Sequence, residues 1–133
     1  MTHRLNLRVY YEDTDLAGIV YYANYLKFIE RGRTEFVLSL GIDQAALRAE
    51  QGIVFAVRRV EADYLRPALF QDQLTVETEM AEVGGARLVM AQRVMRGEEV
   101  LFKADVTLVA LSDSGAPARI PAELRRLFAD LAG

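Results

Sequence analysis

Asp15, Gly18 and Tyr22 fall together in the run EDTDLAGIVYYANY, immediately ahead of a long amphipathic segment. The arrangement sets a carboxylate just before a helix N-terminus, where the first backbone N–H groups have no partner within the helix. A carboxylate beside free N–H donors can attack a carbonyl carbon, or activate water to do so, while the donors hold the oxyanion that forms. The positive end of the helix dipole favours the same negative charge. Asp15 equally suits the ordinary role of a turn aspartate that accepts backbone N–H bonds. Asp13 reads as a turn former. Tyr21, Tyr22 and Tyr25 read as packing aromatics, so the donor assigned at this point is the Tyr22 N–H rather than its phenol.

The composition removes competing chemistries. There is no cysteine, which excludes thiol nucleophiles, disulfides and cysteine metal sites. His3, at the N-terminus, is the only histidine, so neither a histidine triad nor a metal site is expected. Catalysis would have to run on carboxylates, hydroxyls and backbone. A chain of 133 residues, 52% hydrophobic and 26% charged, suits one domain over residues 1–133 with a real core. The net charge of −3 and the lack of a basic stripe argue against a nucleic-acid partner. The N-terminus lacks the apolar run of a signal peptide, and no stretch approaches membrane-span length. A soluble, cytoplasmic protein without a transmembrane segment is expected.

Several elements must position the carboxylate and its donors. Leu5, Leu7 and Val9 alternate with polar residues as a first strand, which the acidic turn from Glu12 to Gly18 ends. Tyr25, Phe28, Ile29, Gly32, Phe36 and Leu40 mark one face of a helix from Tyr22 to about Leu40. Glycine inside that stripe costs about 1 kcal/mol against alanine, which suggests close approach to a sheet. Glu30 with Arg33, or Arg31 with Glu35, is expected to pair on the helix surface. Asp43 can cap a short helix running to about Gln51. Beyond Gly52 the period becomes two, and the apolar phase slips at Arg58–Arg59, which predicts a β-bulge. Strands follow from Leu74 to Met80, from Ala86 to Arg96 after the Gly84–Gly85 turn, and from Val100 to Leu108. Pro121 opens a terminal helix. One strand, one long helix and four strands in meander-like order indicate α+β, with sheet edges that a homo-oligomer would cover.

The run from Asp15 through Gly18, Val20, Tyr21, Tyr22 and Asn24 to Tyr25, with Glu30, Arg33 and Glu35 behind it, resembles the signature of hotdog-fold acyl-CoA thioesterases. More narrowly it is similar to the 4-hydroxybenzoyl-CoA thioesterase type and to the Tol-Pal-associated acyl-CoA thioesterases. The likeness continues through Phe55–Arg59, Asp63–Pro67 and the strands to about residue 111. It implies a hotdog: a five-stranded antiparallel sheet wrapped around one long central helix, here with a short C-terminal helix. It also implies dimers or tetramers joined at sheet edges, with sites at the subunit interface. By resemblance Asp15 is the catalytic carboxylate, as nucleophile or general base, and the Tyr22 backbone N–H is the oxyanion donor. Gly18, Val20, Tyr25, Val57, Arg58 and Arg59 are implied as substrate-binding residues, the last two from the neighbouring subunit. Arg87, Arg93 and Arg96 are candidates for the CoA phosphates. No cofactor is implied, since CoA is part of the substrate.

One departure bears on the substrate. Many Tol-Pal-associated members carry a histidine where this chain has Tyr22, whereas the hydroxybenzoyl-CoA type carries tyrosine there. A main-chain donor survives that change; a histidine proton relay does not. The expected activity is hydrolysis of a fatty or short-chain acyl-CoA, or of the corresponding acyl carrier protein thioester, to the free acid. Two alternatives stand beside it. One is an aromatic, 4-hydroxybenzoyl-type CoA thioesterase. The other is a non-catalytic hotdog module that binds acyl carrier protein or an envelope partner.

Overall fold

The computed structural model describes residues 1–133. In chain order the elements are β1 (His3–Arg8), a 3₁₀ turn (Tyr11–Asp13), α1 (Asn24–Ser39), α2 (Gln44–Gln51), β2 (Ile53–Tyr64), β3 (Gln73–Val83), β4 (Arg87–Arg96), β5 (Glu99–Ser112) and α3 (Ala122–Ala132). The strands form one antiparallel sheet in the order β1-β3-β4-β5-β2. The expected meander holds for β3, β4 and β5. By contrast, β2 crosses to the far edge and pairs with β5, from Ile53 opposite Ser112 to Tyr64 opposite Phe102. A period of two specifies which face a side chain takes and says nothing of which strand lies beside it.

Alternation buries one face of each central strand: Leu74, Val76, Thr78 and Met80 on β3, Leu88, Met90, Gln92 and Val94 on β4, and Phe102 to Ala110 on β5. Against this face α1 lays Tyr25, Phe28, Ile29, Gly32, Phe36 and Val37, all buried. Each large apolar side chain so buried contributes about 1.5–3 kcal/mol. On α3, Phe128 joins the same core. This is the hotdog architecture, a curved sheet wrapped around one long helix. No helix is long and apolar enough to cross a membrane.

The helix sits lowest at Gly32. A Cβ there would lie 2.6 Å from Val76 Cγ1, 3.1 Å from Thr78 Oγ1 and 3.2 Å from Gln92 Nε2. Beside it, buried Gln92 donates through Nε2 to the Ile29 carbonyl at 2.8 Å and to Thr78 Oγ1 at 2.9 Å. Its Oε1 accepts from Arg33 Nη1 at 3.0 Å. Arg33 therefore turns inward to the sheet rather than to Glu30, which instead accepts from Thr34 Oγ1 at 2.7 Å. Neither surface pair expected on α1 forms, because the amide of Gln92, far off in sequence, offers Arg33 a buried acceptor. Burial lowers the Arg33 pKa, and neighbouring Glu30 opposes the shift.

The cap on α2 is as expected, with Asp43 Oδ1 accepting from Ala45 N–H at 2.9 Å and from Ala46 N–H at 3.2 Å. The phase slip in β2 is a bulge: Val57 pairs with Leu108 and Arg59 with Thr107, leaving Arg58 over. Only β5 flanks β2, and Val57 to Tyr64 are exposed throughout.

Replacing Gly32 by alanine tests the seating of the helix. Intrinsic propensity gains about 1 kcal/mol, but overpacking against a stiff valine costs about 1–3 kcal/mol. Urea unfolding is expected to show a net loss of about 1–2 kcal/mol. A raised midpoint would mean that helix and sheet can part there freely.

Candidate active site

After the 3₁₀ turn the chain makes a narrow loop closed by a bridge between Thr14 and Val20. Asp15 N–H donates to the Ile19 carbonyl at 3.0 Å, and Gly18 N–H donates to the Asp15 carbonyl at 3.0 Å. Leu16, Ala17 and Gly18 form the tip, and Gly18 takes a φ of +80°. A tight turn followed by a left-handed residue is a common three-residue loop, and glycine is the residue that enters it without strain.

Within this loop Asp15 Oδ1 accepts from Ala17 N–H at 2.9 Å, the bond a turn aspartate makes. Oδ2 has no partner in the chain, and the residue is exposed. One oxygen fixes the side chain and the other is free for chemistry.

The chain enters α1 two residues later than the apolar spacing suggests. Ala23 is the N-cap, it has no side-chain cap bond, and the first helical residue is Asn24. A β-turn precedes it, closed by Asn24 N–H to the Tyr21 carbonyl at 2.8 Å. Val20 N–H is taken by the Ala68 carbonyl at 2.9 Å and Tyr21 N–H by the Asp13 carbonyl at 2.9 Å. Asn24 Nδ2 also donates to Asp13 O, at 2.9 Å. The N–H groups of Tyr22 and Ala23 donate to no backbone carbonyl. Two consecutive free donors thus stand at the start of α1, at the end of the loop that carries Asp15.

An aromatic cluster holds this junction to the sheet. Tyr25 is buried and stacks on Phe102, with ring centroids 5.1 Å apart and planes 14° from parallel. Its Oη accepts from Ala68 N–H at 2.9 Å. Tyr64, at the end of β2, meets the Tyr25 ring edge-on at 5.5 Å and the Tyr22 ring at 6.1 Å. Its hydroxyl donates to the Tyr22 carbonyl at 2.9 Å. Burial above all, then the phenols of Tyr22 and Tyr25, raises the Tyr64 pKa. Burial also raises that of Tyr25, partly offset by the bond from Ala68. Of the packing aromatics expected, Tyr25 is buried, whereas Tyr21 and Tyr22 remain 45% and 61% exposed. Tyr64 escaped the sequence reading as a site neighbour; its place in the Asp63–Pro67 segment was the available signal.

Asp15, Gly18, Val20, Tyr22 and Tyr25 therefore belong to one loop–helix junction. Val57, Arg58 and Arg59 do not reach it in the same chain. They lie at the bulge, roughly 16–23 Å along β2 from Tyr64 at strand spacing. There Val57 rims an apolar cavity of about 190 Å³ between α1 and the sheet. Glu30 and Val57 are exposed at its mouth, and buried Leu88, Met90, Leu108 and Phe128 line its depth. Neither Asp15 nor Tyr22 lines this cavity. Arg59 pairs with Glu61 at 2.7 Å, whereas Arg58 has no ion pair. The phosphate candidates are all engaged: Arg87 with Glu82 at 3.1 Å, Arg93 with Glu77 at 2.5 Å, and Arg96 with Asp72 at 2.7 Å and Glu99 at 2.6 Å.

Comparison with known proteins identifies the family. Residues 17–103 match the profile of the thioesterase superfamily. An acyl-CoA thioesterase YbgC of Haemophilus influenzae is 45% identical over 92% of this chain and 90% of its own length. The Escherichia coli acyl-CoA thioester hydrolase YbgC is 41% identical, covering 83% of this chain and 81% of that protein. Among solved structures, a probable thioesterase from Bartonella henselae superposes with a TM-score of 0.86 at 37% identity, covering 91% of this chain and all of the other.

Proposed function

The chain belongs to the thioesterase superfamily, and from that premise we propose that it hydrolyses acyl-CoA thioesters to the free acid and CoA, with Asp15 as the catalytic carboxylate. The observation that carries this reading is the pairing of an unengaged Asp15 oxygen with unengaged N–H groups at the start of α1. The thioester carbonyl oxygen takes the Tyr22 N–H. Asp15 Oδ2 then attacks the carbonyl carbon, or takes a proton from water as the water attacks. As the C=O bond becomes a C–O⁻ single bond, the helix start stabilises charge that was absent in the ground state. Collapse of the tetrahedral species expels the CoA thiolate. In the nucleophilic variant, water then cleaves the aspartyl anhydride.

The working unit is a homo-oligomer joined through β2. Its twelve residues leave one edge unpaired, an arrangement that proteins usually cover. A twofold pairing of this edge runs the two strands antiparallel. With the twofold axis near Val60–Glu61, the Tyr22–Tyr64 end of one subunit lies beside the Val57–Arg59 region of the other. That brings the mouth of the partner's apolar cavity, with Arg58 and Arg59, to Asp15. Gly18 keeps the loop tip narrow, and Val20 and Tyr25 hold it to Ala68.

The cavity also speaks to the acyl group. A protein cavity of about 150 Å³ accepts benzene, so about 190 Å³ accepts a single aromatic ring with a substituent or a short to medium chain. An aromatic acyl-CoA is the second reading this volume favours.

Four outcomes test the proposal. Asp15→Asn should lower turnover by roughly 10²–10⁴-fold while the circular dichroism spectrum is unchanged. Beside it, Tyr22→Pro should cost roughly 10²–10³-fold in kcat and Tyr22→Phe only a few-fold. Proline suits the second position of the Tyr21–Asn24 turn and deletes the N–H. Activity retained in Asp15→Asn would end this mechanism, and equal effects at Tyr22 would shift the donor to the phenol. Across a panel of acyl-CoAs, kcat/KM should be highest for short, medium or benzoyl-type groups and fall for hexadecanoyl. A preference for the long chain would take the acyl group out of this cavity. Sedimentation should give a mass of at least twice 14.9 kDa; an active monomer would refute the shared site.

A further inference from the structure

The hydroxyl of Tyr64 reaches across from the edge strand to the Tyr22 carbonyl at 2.9 Å. That carbonyl and the Ala23 N–H belong to a single peptide group. The chain has no cis peptide bond, so the two point in opposite directions. Anchoring the carbonyl on Tyr64 therefore fixes the line along which the Ala23 N–H points, away from β2. No backbone carbonyl takes up that N–H, and no side chain caps the helix at this residue. The Tyr22 N–H just before it is equally unengaged.

We propose, resting on the assignment of Asp15 and the helix start to thioester hydrolysis, that Tyr64 is a positioning residue: it orients the Tyr22–Ala23 peptide so that the Ala23 N–H serves as a second oxyanion donor. The need for it follows from local geometry. A helix N-cap without a side-chain cap is free to rock about its backbone dihedrals, and a donor that rocks loses the advantage of being placed in advance. Elsewhere the junction is tied down. Tyr25 stacks on Phe102, and Asn24 Nδ2 and Tyr21 N–H both bond to the Asp13 carbonyl. The Tyr22–Ala23 peptide has one restraint outside the helix, and it is the Tyr64 hydroxyl. Tyr64 also stands on the strand whose outer edge is open, so closure of that edge by a second copy would steady the oxyanion site as well as cover it.

Tyr64→Phe removes the single oxygen and keeps the ring contacts with Tyr22, Tyr25 and Phe102. Expected is a drop of about ten-fold in kcat with KM changed less than about two-fold, and an unchanged oligomer by sedimentation. Tyr64→Leu, which also loses the ring, should fall further in kcat while KM again holds. An unchanged kcat in Tyr64→Phe overturns the proposal. A KM that rises in step overturns it too, as does activity lost together with the oligomer, since Tyr64 would then serve binding or the interface. Asp15→Asn, run in parallel, separates the cases. If it is inactive while Tyr64→Phe is fully active, only the positioning role fails; if it is active, the hydrolytic assignment itself fails.

Discussion

The seating of α1 on the sheet at Gly32 is the constraint from which the rest of the structure follows. A helix with any side chain at that point would stand off from Val76, and the Gln92 amide would then fall short of the Ile29 carbonyl. Gln92 and Thr78 are buried polar residues in an otherwise apolar layer, and each has its partners. Buried amides cost stability when left unpaired, so this network admits one height and one rotation of the helix. With those fixed, the start of α1 lands where Tyr25 stacks on Phe102 and where Tyr64 can reach the Tyr22 carbonyl. The gap that remains beyond Gly32, between Val37 and Leu108, is the apolar cavity.

The loop bearing Asp15 is the local counterpart of that global constraint. Its two carboxylate oxygens differ in their engagement: Oδ1 closes the turn on Ala17 N–H and Oδ2 stays free. The ordinary turn role and the chemical role that the sequence leaves open are thus compatible in one residue. Gly18 makes this possible, because its left-handed backbone lets the loop close in three residues.

Much of this was legible in the sequence, and the boundary of legibility has a physical reason. Periodicity gave every strand, the long helix and even the β2 bulge, because a one-residue slip in a period of two moves the apolar set to the opposite face. The Asp43 cap was legible for the same reason: its partners are two and three residues away. Contacts set by distant segments were not. Arg33 turns to Gln92 across 59 residues and Tyr64 to Tyr22 across 42, and nothing in local spacing encodes either. The place of β2 at the far edge is hidden likewise, since alternation carries no neighbour. Arginines expected to await phosphates, at 87, 93 and 96, were claimed by carboxylates on neighbouring strands or turns.

In a single chain the proposed site stands open to water, and electrostatics says why that matters. Asp15 is exposed, and so, in large part, are Tyr22 and Tyr64. Hydrogen bonds to a developing oxyanion gain strength as water is excluded, and in bulk water the same charges interact at about one-quarter of their strength near a protein surface. Chemistry that relies on a carboxylate and main-chain donors, with no metal ligands or histidine to share the load, depends on such exclusion more than most. Six of the exposed apolar residues fall where such a cover would act: Tyr21 and Tyr22 at the helix start, and Val57, Val60, Tyr64 and Leu65 along and just beyond β2. A surface apolar in that pattern, beside twelve residues of unpaired strand edge, suits closure by a further strand. On the proposed assignment of Asp15, closure and catalysis become one requirement, because a partner that satisfied the sheet edge would also dry the carboxylate.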